Sequence, residues 1–480
     1  MKLYKLYLIL ILMMSFAGCK KDLAILPEQS LSDQVVFTTK AGAQAALLGV
    51  YGTAQVLDAF GGLPLIIGDY QSDNVEFVGS FPTLQEVNQF TTLSVNTSIT
   101  PIWQNHYRVI LRANSVIARV PGVSEAGFTD AQKKQLVAEA KFMRALTYFQ
   151  LVNLFAQPYN CSMGSNLGVP LVLSAFDGTV SFPARNTVNE VQLQIKKDLE
   201  ESISDLPDTY PSSSDTRGRA TKGASRALLS RLLLYRGEWA EAASRANEVI
   251  TASSIYSLAP DYAFYDANST EDVFTIEMTT TDNSRTGAGG LASYHRPASA
   301  GGRGDAPFST SLIQAYLQEP GDKRLALSDS AVASDGPRRR FTLKYFDART
   351  NADNTPVIRV TEMYLNRAEA LAEKDGINQV SIGLINSLRR RAGLVDWTLL
   401  TYATKQDFVL GILNERRKEL AFEGHRRMDL LRKGLSLRTS GPASAISKPC
   451  DGASPKVILP IPQSEIDINP ALKGQQNPGY

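Results

Sequence analysis

Between Ala138 and Ala156 the residues Ala138, Phe142, Ala145, Phe149, Val152 and Ala156 follow one another at spacings of four, three, four, three and four. A helix turns once in about 3.6 residues, so this rhythm gathers the six side chains into a single stripe, which Tyr148, Leu151 and Phe155 widen. A stripe that broad marks a core element and not a cofactor pocket. Gln157-Pro158 ends it, because proline disfavours helical geometry in the residue before it. A second stripe, Ala224, Leu228, Leu232 and Tyr235, stops at Arg236-Gly237-Glu238-Trp239, and a new helix begins at once with Ala242, Ala246, Val249 and Ile250 facing inward. These two form a helical hairpin. Tyr364 to Ala372 and Ile382 to Leu394, joined by Lys374-Asp375-Gly376-Ile377-Asn378, read as another.

The first hairpin resembles a tetratricopeptide unit, with Gly237 in the tight turn, Trp239 just after it, and small Ala242 where the helices cross. Such units are stable only when stacked, since each buries its apolar face on its neighbours. Several units are therefore expected, in a mostly α fold. With 480 residues, 43% hydrophobic and 20% charged, the chain can bury a large core. Residues 157–187 and 251–307 have a different texture, rich in Gly, Pro, Ser, Thr and aromatics, with a strand-like run at Val273-Phe274-Thr275-Ile276. Loops on a rigid scaffold are where binding chemistry usually sits, although a plain surface excursion has the same composition.

The amino terminus reads as an address. Lys2 and Lys5 precede nine apolar residues, Leu6 to Met14, and then Ser15-Phe16-Ala17-Gly18-Cys19. The run is too short to span a bilayer, and the three regions are those of a secretory signal. Small residues before a cysteine resemble the bacterial lipobox, with Phe16 where leucine is usual. That resemblance implies removal of residues 1–18 and lipidation of Cys19; the plainer alternative is a secretory signal with a cysteine near its cut site. Lys20-Lys21-Asp22 resembles a surface-export signal of Bacteroidetes lipoproteins. Without Lys2 and Lys5 the 50 basic residues become 48, against 48 acids, and a neutral chain offers no electrostatic basis for binding nucleic acid. Cys161 and Cys450 are too few for a disulfide framework and lie far enough apart to be independent, though an oxidising periplasm would let them pair. His106, His295 and His425 form no HExxH pattern, no EF-hand is present, and no cofactor is expected.

Taken in order, the local motifs resemble the SusD/RagB family of Bacteroidetes outer-membrane lipoproteins. They are Trp103-Gln104-Asn105-His106-Tyr107 with Arg112-Ala113-Asn114, then Ala138 to Phe149, Tyr364-Leu365-Asn366-Arg367-Ala368-Glu369-Ala370, Ile385 to Arg389, Glu415 to Arg426, Leu459-Pro460-Ile461-Pro462 and the terminal Gln476-Asn477-Pro478-Gly479-Tyr480. The resemblance covers nearly the whole chain. It implies a SusD-like α-α superhelix with an irregular ligand-facing part. It further implies a lid on a SusC-like TonB-dependent transporter barrel, held at the outer membrane by its lipid and facing the cell exterior, which binds nutrient, most often an oligosaccharide. The domain layout that follows is a signal over 1–18, a tether over 19–39, an N-terminal helical region over 40–250, a loop-rich ligand-facing region over 251–350 and a RagB/SusD C-terminal region over 351–480.

A sugar ring offers an apolar CH face and a rim of hydroxyls, so its binder needs flat exposed aromatics beside carboxylate, amide or guanidinium groups. Two windows have that mixture: Asp69 to Pro82, and Asp282 to Phe308, the latter with Arg285, Tyr294, His295, Arg296 and Arg303 among glycines. The resemblance places ligand contacts in loops of these two regions. Asp73, Asn74, Phe77, Phe81, Tyr294 and Arg296 are the candidates, with packing beneath a loop as the alternative for each aromatic. Trp103 and Tyr107 are assigned to the core, and Arg303-Gly304-Asp305, an adhesion-like tripeptide, carries no weight because three-residue matches arise by chance. Between Asn386 and Lys433 basic residues outnumber acids eleven to six, but Glu415 with Lys418 and Glu423 with Arg426 and Arg427 have helix-pair spacing, so this stretch is expected to be a solvated, internally paired face. No GxSxG, phosphate loop or paired-acid motif points to an enzyme. A glycan-binding lid, the same lid for peptides or another nutrient, and a tetratricopeptide-like scaffold that binds only proteins are the three readings that remain.

Overall fold

A computed structural model describes residues 36–266, 268–284 and 289–480. The leader, Cys19 and most of the tether lie outside the described residues, as does Arg285. Four helices open the described chain, α1 (Lys40–Ala54), α2 (Leu63–Tyr70), α3 (Pro82–Asn88) and α4 (Thr100–Arg119). They are followed by α5 (Asp130–Phe155), α6 (Val188–Asp205), α7 (Ser213–Gly218), α8 (Lys222–Arg236) and α9 (Trp239–Thr251). Then come β1 (Asp272–Ile276), α10 (Leu291–His295), α11 (Thr310–Leu317), β2 (Ser328–Val332), β3 (Arg338–Thr342) and β4 (Thr355–Arg359). The last are α12 (Val360–Asp375), α13 (Gln379–Arg391), α14 (Lys405–Glu419), α15 (Arg426–Leu431) and α16 (Gln463–Ile468). The fold is mostly α. Among the described residues the named strands form two antiparallel pairs, β1 with β4 and β2 with β3.

Helix α5 is the central post. Thr129 and Gln132 close a capping box at its start, and it ends at Phe155, just ahead of Gln157-Pro158 as the proline requires. α4 packs on one side of it and α6 on another, and the stripe residues Phe142, Ala145, Phe149 and Val152 are all buried. The two hairpins follow with one construction. In α8–α9, Gly237 takes a left-handed φ of 77° and the Ser230 hydroxyl donates to the Ala242 carbonyl across the pair at 2.9 Å. In α12–α13 the Ser381 hydroxyl donates to the Ala368 carbonyl, again at 2.9 Å. Small residues let the backbones approach to that distance. α9 then packs against α12, which stacks one hairpin on the other.

Two expectations are corrected. The Arg-rich stretch is paired, but it is not a solvated face: Arg416, Arg417, Lys418, Glu415, Glu419, Glu423 and Arg427 are all buried. Their partners come mainly from other elements, which a helical spacing rule does not see. Arg416 Nε meets both Asp429 oxygens at 2.8 Å, Arg324 reaches Asp322 at 2.7 Å and Glu415 at 3.0 Å, and Glu423 accepts from Arg359 at 2.8 Å and Lys344 at 2.7 Å. Glu415 with Lys418, 2.7 Å apart, is a local pair of the expected kind. Arg427 donates to Gln71 and to the carbonyls of Asn153 and Val457, a set without a carboxylate. The second correction concerns the cysteines, which form a Cys161–Cys450 disulfide with Cα atoms 5.1 Å apart, because the fold returns the C-terminal region to the end of α5.

Candidate functional site

The two sequence windows meet. After α2 the chain runs extended from Asn74 to Val78 beside the segment 305–309: Val75 pairs with Phe308 in an antiparallel bridge, Glu76 N–H donates to Pro307 O at 3.1 Å, Val78 N–H to Asp305 O at 2.9 Å, and Ser309 N–H to Asn74 O at 2.9 Å. Residues more than two hundred positions apart are thus fixed in register. The approach is close. A Cβ on Gly79 would lie 2.5 Å from the Asp305 Cγ, so a side chain at 79 would displace the Asp305 carboxyl group and the Phe77 ring.

At the end of this ladder Phe81, Arg303 and Tyr294 stack. The Arg303 guanidinium carbon sits 5.3 Å from the Phe81 ring centre and 4.2 Å from that of Tyr294, so the cation lies against both rings. Phe81 remains 46% exposed, whereas Tyr294 is 6% exposed. Tyr70, fully buried beneath them, donates its hydroxyl to the Tyr294 carbonyl at 3.3 Å and packs its ring 4.9 Å from Phe77. Two carboxylates border the stack. Burial raises the pKa of Asp58 above the ordinary carboxylate value, and burial also raises that of Asp305, opposed by the Ser334 hydrogen bond and the Arg303 charge. Burial is likewise the main cause of the raised Tyr294 phenol, which Arg303 counteracts. An exposed ring, a guanidinium and carboxylates side by side can stack on the CH face of a sugar and bond its hydroxyls.

The other candidates are placed differently. Asp73 is buried between Arg426 and Arg417: its oxygens accept from Arg426 Nε at 2.7 Å and from a terminal Arg426 nitrogen at 2.9 Å. Burial alone would raise its pKa, but the Arg426 hydrogen bonds and the two guanidinium charges hold it below the usual range. Asn74 has no exposed surface; its amide donates to Asp69 at 3.3 Å and accepts from Arg417 at 3.0 Å. Arg296 donates to the Thr342 carbonyl at 3.2 Å, and its own carbonyl accepts from Gly304 N–H at 3.0 Å, which shapes the loop that carries Arg303. Phe77 is half-buried and borders an open groove of about 340 Å³, together with Asp73, Glu76, Ser311 and Arg438. Trp103 is buried in the core and Tyr107 packs against it. Arg303 and Asp305 were visible in the sequence only as members of the Gly-rich window and of a chance tripeptide, and Asp58 had no signal at all. The register of the ladder brings Arg303 and Asp305 to Phe81, whereas Asp58 enters from the turn after α1 through its charge near Tyr294. Among the described residues no group of three or more His, Cys, Asp or Glu is arranged to hold a metal ion, and no helix is long and apolar enough to cross a membrane.

Comparison with known proteins adds the lineage. Residues 337–480 match the SusD family, and residues 58–234 match a SusD-like family described as starch-binding and associating with the outer membrane. SusD-like protein P2 of Formosa agariphila is 28% identical over the full length of both chains. A SusD superfamily protein of Bacteroides thetaiotaomicron superposes with a TM-score of 0.79 at 27% identity, covering 91% of this chain and 99% of its own. A laminarin-binding SusD-like protein superposes with a TM-score of 0.72 at 25% identity, covering 92% of this chain and all of its own. The order of motifs, the stacked hairpins and these full-length matches agree, and the chain belongs to the SusD/RagB family.

Proposed function

We propose that this protein captures an oligosaccharide or polysaccharide at the Phe81–Arg303–Tyr294 stack and passes it to a SusC-like TonB-dependent transporter, on which it sits as a lid. The observation that carries the reading is the exposed Phe81 ring, backed by a guanidinium and flanked by carboxylates, on a backbone register that leaves it little freedom. Preorganisation of that kind lowers the entropy lost on binding. Support for the ligand class comes from the starch-binding description of the matched family and from the laminarin-binding relative. Lipidation at Cys19 would hold the protein at the outer membrane, facing the exterior. As a lid it must bind ligand better in the closed state than in the open one, or ligand could not shift the equilibrium. The proposed role is binding and delivery, with no catalytic step.

The test is binding of the soluble chain begun after Cys19 to a panel of polysaccharides and peptides, with Phe81→Ala and Arg303→Ala beside wild type. Loss of one ring stack costs about 0.5–1.5 kcal/mol, so retention by one glycan should weaken roughly two- to twelve-fold in Phe81→Ala. Undiminished glycan affinity in both variants would move the site elsewhere. Binding of peptides alone, falling steeply with salt, would replace the glycan by a charged nutrient. Failure with every soluble nutrient alongside binding to the barrel would favour a scaffold.

A further inference from the structure

The open groove of about 340 Å³ beside Phe77 holds a positive charge that no carboxylate around it balances. Its two carboxylates are already committed. Asp73 is buried against Arg426 and Arg417, and Glu76 meets Arg339 at 2.7 Å. Arg438, half-buried at the groove wall, has no carboxylate partner among the described residues. It donates to the Tyr70 carbonyl, its guanidinium carbon lies 5.9 Å from the Phe90 ring centre, and its Nη1 is left without an acceptor. Other arginines that lack a carboxylate are better served: Arg185 spreads its N–H groups over four backbone carbonyls, and Arg427 over Gln71 and two carbonyls. Burial pushes the Arg438 guanidinium down to about 10, and the charge of Asp73 offsets only part of that. An incoming anion would supply both the missing charge and the missing acceptor. Thr310 and Ser440, exposed on the same groove, add hydroxyl donors.

The groove lies close to the Phe81 stack. Tyr70 spans the two, since its backbone carbonyl accepts from Arg438 while its hydroxyl donates to the Tyr294 carbonyl at 3.3 Å. The two ends of that tyrosine differ in charge. At the stack the Arg303 guanidinium stands among Asp305 and Asp58, an excess of negative charge, whereas the groove has an excess of positive charge. A ligand that reaches across is therefore sorted by charge, with a neutral ring at the stack and an acidic group at the groove.

We propose that the groove is an anion subsite, in which Arg438 and the hydroxyls of Thr310 and Ser440 hold the carboxylate or sulfate group of an acidic glycan whose neighbouring sugar stacks on Phe81. This inference rests on the reading of the stack as a glycan site, and it names the class of glycan: a polysaccharide that carries uronate or sulfate ester groups.

The test titrates the soluble chain begun after Cys19 with laminarin, with laminarin carrying sulfate esters, and with polygalacturonate. At low salt at least one acidic polymer should bind about ten-fold or more tightly than the neutral one, a margin that shrinks as salt rises; which of the two gains identifies the anionic group. The ratio of acidic to neutral affinity should fall about ten-fold in Arg438→Gln, as expected for one charge-assisted hydrogen bond. Because Arg438 also holds the Tyr70 carbonyl, Thr310→Asp serves as a second variant. It places a carboxylate in the groove at the first position of α11, where negative charge suits the helix and the fold is kept, and it should lower the same ratio. Equal binding of neutral and acidic polymers, or a ratio unchanged in both variants, would overturn the subsite while the Phe81 reading stands. Acidic binding that is undiminished by Phe81→Ala would overturn the placement across the two ends. Binding of an acidic peptide with the same dependence on Arg438, and of no acidic glycan, would assign the subsite to a peptide instead. Binding of none of the three polymers would overturn both readings.

Discussion

Asp73 has the chemistry of a sugar ligand and the surroundings of a buried strut. Both of its oxygens face Arg426, Arg417 stands 3.4 Å away, and its backbone carbonyl accepts from Arg417 and from the Ser309 and Ser311 hydroxyls. Asp73→Asn should therefore leave the buried Arg417 and the partly buried Arg426 short of a counter-charge and cost about 3 kcal/mol of stability in denaturant titration, while the protein that remains folded binds glycan within about two-fold of wild type. A large loss of affinity at unchanged stability would make Asp73 a ligand contact after all. Glu362 is a second strut with a pH signature. Burial would raise its pKa, but Arg231 hydrogen-bonds it and, with the nearby positive charges, holds it down to about 2, below an unfolded value near 4.5. The folded state thus binds fewer protons than the unfolded one, so this contribution is complete above about pH 4.5 and is lost as pH falls toward 2. It amounts to something on the order of 3 kcal/mol. Wild type should lose stability over that window, and the gap between it and Glu362→Gln should narrow by a similar amount; a gap independent of pH from 7 to 2 would show that the pairing contributes nothing.

At the scale of elements, the helices were legible and the charged contacts between them were not. The four–three spacing of α5 predicted its buried face and its stop at Gln157-Pro158, and Gly237 predicted the α8–α9 turn, because helix period and turn chemistry are local properties. The Ile382–Leu394 helix was found three residues early, as Gln379–Arg391, since Asn378 caps Ser381 and starts the helix ahead of its first inward apolar residue. Residues 291–295 read as loop, yet they form the short buried helix α10, whose buried faces are defined by α2 and by Tyr345, Asn351 and Phe422, all distant in sequence. The turn offers a clean test. Gly237→Ala forces a side chain into left-handed backbone and should cost about 1–2 kcal/mol in equilibrium unfolding, with glycan affinity unchanged because the turn is remote in sequence from both ligand windows. A neutral or stabilising outcome would mean that the turn relaxes to another geometry.

For the whole molecule, what the sequence withheld were pairings between distant segments. The ladder that joins residues 74–78 to 305–309 selects Phe81, Arg303 and Tyr294 out of many aromatics and arginines, and no local pattern encodes its register. The disulfide is a pairing of the same class. Cys161 and Cys450 are separated by 289 positions, and they meet because the segment after α15 folds back along α5, where Leu459 N–H donates to Leu154 O at 2.9 Å and Asn477 donates to Phe155 O at 2.7 Å. Arg185 ties the same region from the other side, donating to Phe155 O at 3.3 Å and to Gln475 O at 2.7 Å. The C-terminal segment is thus held by many bonds before the disulfide is counted, so the crosslink should act mostly by restricting the unfolded chain, and typical values for such a link are about 2–4 kcal/mol. Cys161→Ser with Cys450→Ser should consequently fold to the same structure and bind glycan as wild type does, but lose that amount of unfolding free energy and so unfold at a lower denaturant concentration. Reduction of the wild-type protein should reproduce the shift. Loss of binding in the double variant would mean instead that the disulfide helps to define the folded state, and that the hydrogen bonds from Leu459, Asn477 and Arg185 cannot by themselves return the C-terminal segment to α5.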